Sequence, residues 1–146
     1  MTDKMVPIAE LICELNRNCN IKEEYFAASF NLSPTEVRFL KLFAIKPSYT
    51  IKELRELLNL TPGRITHILT SLEKKKLVSR SQDPTDKRII LVKLMQKADP
   101  LISNLLNSYN ELHSKILQNV KKEELEKILS SLEILVDVFS KWVKQK

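Results

Sequence analysis

Glycine is almost missing: the 146-residue chain has one, Gly63, where average usage near 7% would give about ten. A single glycine excludes glycine-rich phosphate loops and dinucleotide-binding turns, which need several glycines at fixed spacing. It also argues against hairpin-rich β proteins, whose tight turns require residues that tolerate positive φ, and favours helices joined by short connections. Cysteine is scarce too. Cys13 and Cys19 are too few and too close for a secreted disulfide framework and read as intracellular thiols. Their spacing keeps them off one helical face, which disfavours an intrachain zinc pair. The two histidines, His67 and His113, belong to no metal pair and no nucleophile motif. No metal site, cofactor or catalytic constellation is therefore expected. No apolar run approaches the roughly 18 residues of a membrane span, and the acidic N-terminal stretch MTDKMVPIAELICEL does not read as a signal peptide. A cytoplasmic protein with no membrane partner is expected.

What is present is ordinary globular material, 43% apolar and 29% charged, so the chain should fold as one domain or two small ones sharing a core. Its charge is not evenly spread. The 24 basic and 18 acidic residues leave a net +6. Nine basic residues (Arg64, Lys74, Lys75, Lys76, Arg80, Lys87, Arg88, Lys93, Lys97) and three acidic ones fall between Thr61 and Lys97, so this stretch carries the whole excess. Such a concentration has the form of an electrostatic footprint for a polyanion, with a solvated lysine-rich face as the alternative.

Along the chain, Ile8, Leu11, Ile12, Leu15 and Cys19 recur at helical spacing, and Tyr25, Phe26 and Phe30 extend the stripe. Asn16, Asn18 and Asn20 are poor helix formers and leave open whether this first helix is continuous. Ser33-Pro34-Thr35-Glu36 is a capping box with proline at the first helical position. It opens a helix with Val37, Leu40, Phe43 and Ala44 on one face that stops before Pro47. Thr50 to Glu53 repeats the box and starts a short helix with Ile51, Leu54, Leu57 and Leu58 inward. After the Asn59-Leu60 turn, Thr61-Pro62 caps a helix whose Ile65, Ile68, Leu69 and Leu72 face in, while Arg64, Thr66, His67, Thr70 and Ser71 face out. The period then changes. Residues 77–82 and 88–94 are rich in β-branched and apolar side chains and bracket Asp83-Pro84-Thr85-Asp86, which predicts a hairpin. Asp99-Pro100 caps a fifth helix bearing Leu101, Ile102, Leu105, Leu106, Tyr109, Leu112, Ile116 and Leu117. The last helix, from about Lys122, carries Leu125, Ile128, Leu129, Leu132, Leu135, Val136, Phe139, Trp142 and Val143 in a seam near the 3.5-residue repeat.

This order predicts a mainly α fold: a winged helix-turn-helix with a two-stranded β-wing and long N- and C-terminal dimerisation helices. Arg64, Thr66 and His67 suit a major groove, and Lys87 and Arg88 at the hairpin tip suit a narrow minor groove. The apolar stripes at the two ends exceed what a compact core of about 65 residues can cover. Intramolecular packing of the ends is one solution. A two-fold homodimer is the other, with Ile8, Leu11, Ile12, Leu15, Leu125, Leu129, Leu132, Val136, Phe139 and Trp142 at the interface and two recognition helices about one DNA turn apart. A dimeric protein-interaction module with an acidic partner is the rival function, because similar tri-helical units serve that purpose.

The residues also resemble the MarR family of bacterial and archaeal transcriptional regulators over essentially the whole chain. Leu32 to Glu36 resembles the entry to the family's second helix, TPGRITHILTSLEKK (Thr61 to Lys75) its recognition helix, and Asp83-Pro84-Thr85-Asp86-Lys87-Arg88 its wing signature. The resemblance implies that Asp86 orients Arg88 into the minor groove. It further implies a homodimer, usually a repressor, released from a pseudo-palindromic site by a small aromatic or phenolic effector or by thiol oxidation, for which Cys13 lies in the comparable region. Double-stranded DNA is the expected partner. The expected contacts are Thr61, Pro62, Gly63, Arg64, Thr66, His67, Thr70, Lys74, Lys75, Arg80, Asp86, Lys87 and Arg88. Lys76 stands where the family commonly has a helix-ending glycine, a left-handed position costing a non-glycine residue about 1 kcal/mol. Met95 and Ala98 interrupt a Leu-Thr-x-x-Gly pattern, whose lost cap Asp99-Pro100 is expected to replace. The expected divisions are 1–32 (N-terminal dimerisation region), 33–97 (winged helix-turn-helix) and 98–146 (C-terminal dimerisation helices).

Overall fold

Two reciprocal capping boxes start the central helices. Ser33 Oγ accepts from the Glu36 amide at 3.1 Å and Glu36 Oε1 accepts from the Ser33 amide at 2.9 Å; Thr50 and Glu53 repeat the exchange at 3.0 Å each way. Each box satisfies amides that a helix start leaves without partners. The computed structural model describes residues 2–146. A short 3-10 turn leads into α1 (Met5–Ala28), followed by α2 (Pro34–Leu42), β1 (Ser48–Thr50), α3 (Ile51–Leu58), α4 (Pro62–Lys74), β2 (Val78–Gln82), β3 (Ile90–Leu94), α5 (Asp99–Ile116) and α6 (Lys122–Lys144). α1 is continuous. Its three asparagines all lie exposed, where their side chains are solvated and do not break the helix.

Three helices end alike. Leu32, Leu60 and Leu77 each donate a backbone bond of 3.0 Å to the carbonyl five residues back, on Ala27, Arg55 and Leu72. The residue before each leucine is left-handed: Asn31 (φ 56°), Asn59 (φ 52°) and Lys76 (φ 60°). This closure normally takes glycine; asparagine tolerates it, and Lys76 bears the larger steric cost.

The wing has one strand more than the sequence suggested. β1 pairs antiparallel with β3 (Tyr49 opposite Val92), as β2 does on the other side (Arg80 opposite Val92), giving the order β1-β3-β2. Three residues are too few to show a period of two, and β1 exists because β3 offers it a free edge. Tyr49 is buried against Phe43 with ring centroids 5.0 Å apart, and its hydroxyl donates to the Leu42 carbonyl.

The chain comprises two compact units, one through Tyr109 and one from Asn110, with the boundary inside α5. The core of the first unit is Phe39, Leu40, Leu54, Ile65, Leu69, Leu72, Val78, Val92 and Leu105, all but fully buried. The inward face expected for α4 is buried in full; other stripes need correcting. Ala44 and Leu57 are exposed, and Phe39, outside the expected stripe of α2, is buried completely, whereas the exposed Tyr25, Ile116 and Leu117 belong to the terminal stripes expected to exceed the core. Asp99 does not cap α5: its backbone is already helical (φ −56°, ψ −47°), because a 3-10 turn over Gln96–Ala98 runs straight into the helix. In the second unit α6 buries none of its side chains within the chain.

Candidate nucleic-acid interface

Thr61 opens α4 by accepting the Arg64 amide at 3.2 Å, with Pro62 at the first helical position. Burial of Ile65, Ile68, Leu69 and Leu72 leaves Gly63, Arg64, Thr66, His67, Thr70 and Lys74 exposed. The hydroxyls of Thr66 and Thr70 donate to the Pro62 and Thr66 carbonyls at 2.9 Å. Their outward sides therefore present methyl groups and acceptor lone pairs.

The wing turn is built by two aspartates. Asp83 Oδ1 accepts from the Thr85 amide (2.8 Å), the Thr85 hydroxyl (2.6 Å) and the Asp86 amide (3.2 Å). Asp86 takes Arg88 in a fork: Nε to Oδ1 and Nη2 to Oδ2, both 3.1 Å, with the Arg88 amide also on Oδ1 at 3.1 Å. These bonds hold both carboxyls below the usual aspartate range, with the Thr85 side chain the main cause at Asp83 and the Arg88 side chain at Asp86. The Arg88 side chain is nevertheless 90% exposed, so the wing presents an oriented guanidinium to solvent. Lys87 beside it is exposed.

Two other basic residues of the stretch have partners. Arg80 pairs with Glu73 at 2.7 Å. Lys75 turns its ammonium onto Glu36 (3.1 Å) and the Asn31 carbonyl (2.9 Å). Ser71, expected to face out, is half-buried and donates to Glu36 Oε2 at 2.8 Å. Sequence reading missed the role of Glu36, which is 5% exposed; the capping box accounts for it locally and says nothing of what else the carboxylate meets. Its pKa is lowered overall: burial raises it, and bonds from Ser33, Ser71 and Lys75 outweigh that.

The residues expected at a dimer interface are open. Ile8, Leu11 and Leu15 on α1 are exposed and Ile12 is half-buried; on α6 Leu125, Leu129, Leu132, Val136, Phe139 and Trp142 are exposed. Cys13 is exposed and Cys19 half-buried. Among the described residues no helix is long and apolar enough to cross a membrane.

Residues 32–90, which hold α2 to the wing, match the MarR family model. The match covers the segment from α2 to the turn before β3, and over it the chain is similar to the MarR family. It is 24% identical over 126 residues to the HTH-type transcriptional regulator MhqR of Bacillus subtilis, covering 86% of this chain and 87% of that protein. A mutant MarR from E. coli complexed with operator DNA superposes with a TM-score of 0.74 at 21% identity, over 92% of this chain and 97% of that one. FabT from Streptococcus pneumoniae, also solved with DNA, gives 0.80 at 20% identity over 92% and 96%. The winged helix-turn-helix fold of this chain is thereby established.

Proposed function

We propose that this chain is a transcriptional regulator of the MarR type, a DNA-binding repressor that acts as a homodimer on a pseudo-palindromic duplex. α4 would enter the major groove, with Thr61, Pro62, Gly63, Arg64, Thr66, His67, Thr70 and Lys74 at or near base edges and phosphates. The wing would bring Lys87 and Arg88 to the adjacent minor groove, with Asp86 as the orienting group and Arg80 near the backbone. The observation that carries this reading is the exposed Arg88 held in a fork by Asp86, one strand on from a helix whose outer face is polar and basic. The related MarR and FabT structures with bound DNA support the partner.

Dimerisation is supported by the open apolar positions of α1 and α6, since single soluble chains rarely leave stripes of that extent in water. The resemblance to the MarR family adds release by a small aromatic or phenolic effector to the proposal, and titrating such compounds into the DNA complex tests it. A thiol-triggered version rests on the exposure of Cys13; its test is peroxide treatment, which should release wild type and spare Cys13→Ser.

The primary experiment is a titration of fluorescent duplexes, one selected from the source genome and one random, at two salt concentrations. Preference for the selected duplex and a steep fall with salt are expected. Equal affinity for both duplexes would favour the protein-interaction module.

A further inference from the structure

Lys75 lies in the most basic run of the chain, Lys74-Lys75-Lys76, yet its ammonium points into the protein. We propose that Glu36 and Lys75 form a strut that sets the orientation of α4 for duplex readout, so that Glu36 is a positioning residue and Lys75, unlike Lys74, makes no phosphate contact. The assignment rests on the DNA-binding function proposed above.

The geometry brings three helix ends to two side chains. Glu36 Oε1 accepts from the Ser33 amide in the cap of α2 at 2.9 Å and from Lys75 Nζ at 3.1 Å. Oε2 accepts from Ser71 Oγ at 2.8 Å and from the same Nζ at 3.4 Å. Lys75 Nζ also donates to the carbonyl of Asn31, the left-handed residue that closes α1, at 2.9 Å. A carboxylate this deeply buried is costly unless its lone pairs are filled and its charge is matched. Here both conditions are met, and the partners come from the last turns of α4 and the first turn of α2.

Apolar contacts resist separation of two helices but tolerate small rotations, whereas directional bonds to a fixed carboxylate do not. Ser71 in the last turn of α4 and Lys75 at its C-cap lie one turn apart, so two attachments on one row set the rotation of the helix and with it the aim of His67 and Thr70. Releasing Lys75 to reach a phosphate would strip a buried carboxylate of its counter-charge. Lys74 is exposed and has no such duty.

The test uses the full chain with the selected and random duplexes, at a temperature where circular dichroism shows every variant folded. Lys75→Gln should leave the dependence of affinity on salt unchanged and cut the preference for the selected duplex about tenfold, the scale of one charge-assisted hydrogen bond. Lys74→Gln should instead reduce the salt slope by about one per protomer. Glu36→Gln, which keeps an oxygen for the Ser33 amide, should lose preference as Lys75→Gln does while binding random duplex as before. Lys75→Arg, which can still reach the carboxylate, should retain the preference. A salt slope lowered by Lys75→Gln with preference intact would overturn the strut, as would destabilisation of either variant with no change in preference. Failure of the wild-type chain to bind any duplex is distinct: it would remove the DNA reading first and this assignment with it.

Discussion

Gly63 is a glycine that the fold does not require. The left-handed positions that ask for glycine hold Asn31, Asn59 and Lys76, and a Cβ added at Gly63 would meet open space. Glycine inside a helix costs about 0.5 to 1 kcal/mol relative to alanine. Gly63→Ala should therefore raise stability by about that amount in a thermal melt and weaken duplex binding, because the missing side chain leaves room on the outer face of α4. A variant both more stable and equally well bound would take Gly63 out of the interface. Arg88→Ala should cost about 1 to 3 kcal/mol of binding, most on A·T-rich flanks, where a narrow minor groove attracts a cation; equal binding by the variant across flanks would refute minor-groove reading. Glu36 makes a prediction in pH. Its hydrogen bonds hold its folded pKa below the ordinary 4.5 despite burial. Its stabilising contribution is thus present above that ordinary value and is lost as pH falls through the lowered one. Melting temperatures measured from neutral to acid pH should drop less steeply for Glu36→Gln than for wild type; parallel profiles would show that the carboxylate is not the group responsible.

Among the elements, the helix starts were the most legible from sequence, because a cap is a local device: Ser33, Thr50 and Thr61 each act within three residues of themselves. Faces were legible only where a helix has neighbours along one side. The inward row of α4 is buried as expected, and Leu69→Ala should cost about 2 to 5 kcal/mol in denaturant unfolding, since Leu69 is fully enclosed. On α3 the same periodicity misled, because Leu57 belongs to the apolar row yet is 59% exposed. A period identifies which residues share a face and is silent on how wide the covering surface is. The left-handed end of α4 was anticipated from the missing glycine. Lys76→Gly should accordingly gain about 1 kcal/mol by removing the clash of Cβ with the backbone, and a melt showing no gain would mean the lysine side chain compensates. Strand β1 was invisible beforehand: three residues hold no pattern, and their partner lies some forty positions later.

For the whole molecule, the open apolar positions of α1 and α6 decide what to expect in solution. Leu11 is 64% exposed, Phe139 48% and Trp142 56%. Under the proposed homodimer, changing both Phe139 and Leu132 to aspartate should give a monomer in sedimentation and abolish high-affinity duplex binding, because one reading head makes half the contacts. A double variant that sediments and binds as wild type does would place the interface elsewhere. By itself the sequence determined the class of fold, the beginnings of α2, α3 and α4, the hairpin, the basic stretch and the inward row of α4. These follow from propensities and periods acting over a few residues. Only the tertiary structure decided that Glu36 is buried, that Ser71 and Lys75 turn toward it, that β1 joins the wing and that Asp99 is inside its helix. Each of those depends on a partner far away in the chain or on how two elements join, and pairwise geometry of that kind leaves no trace in local composition.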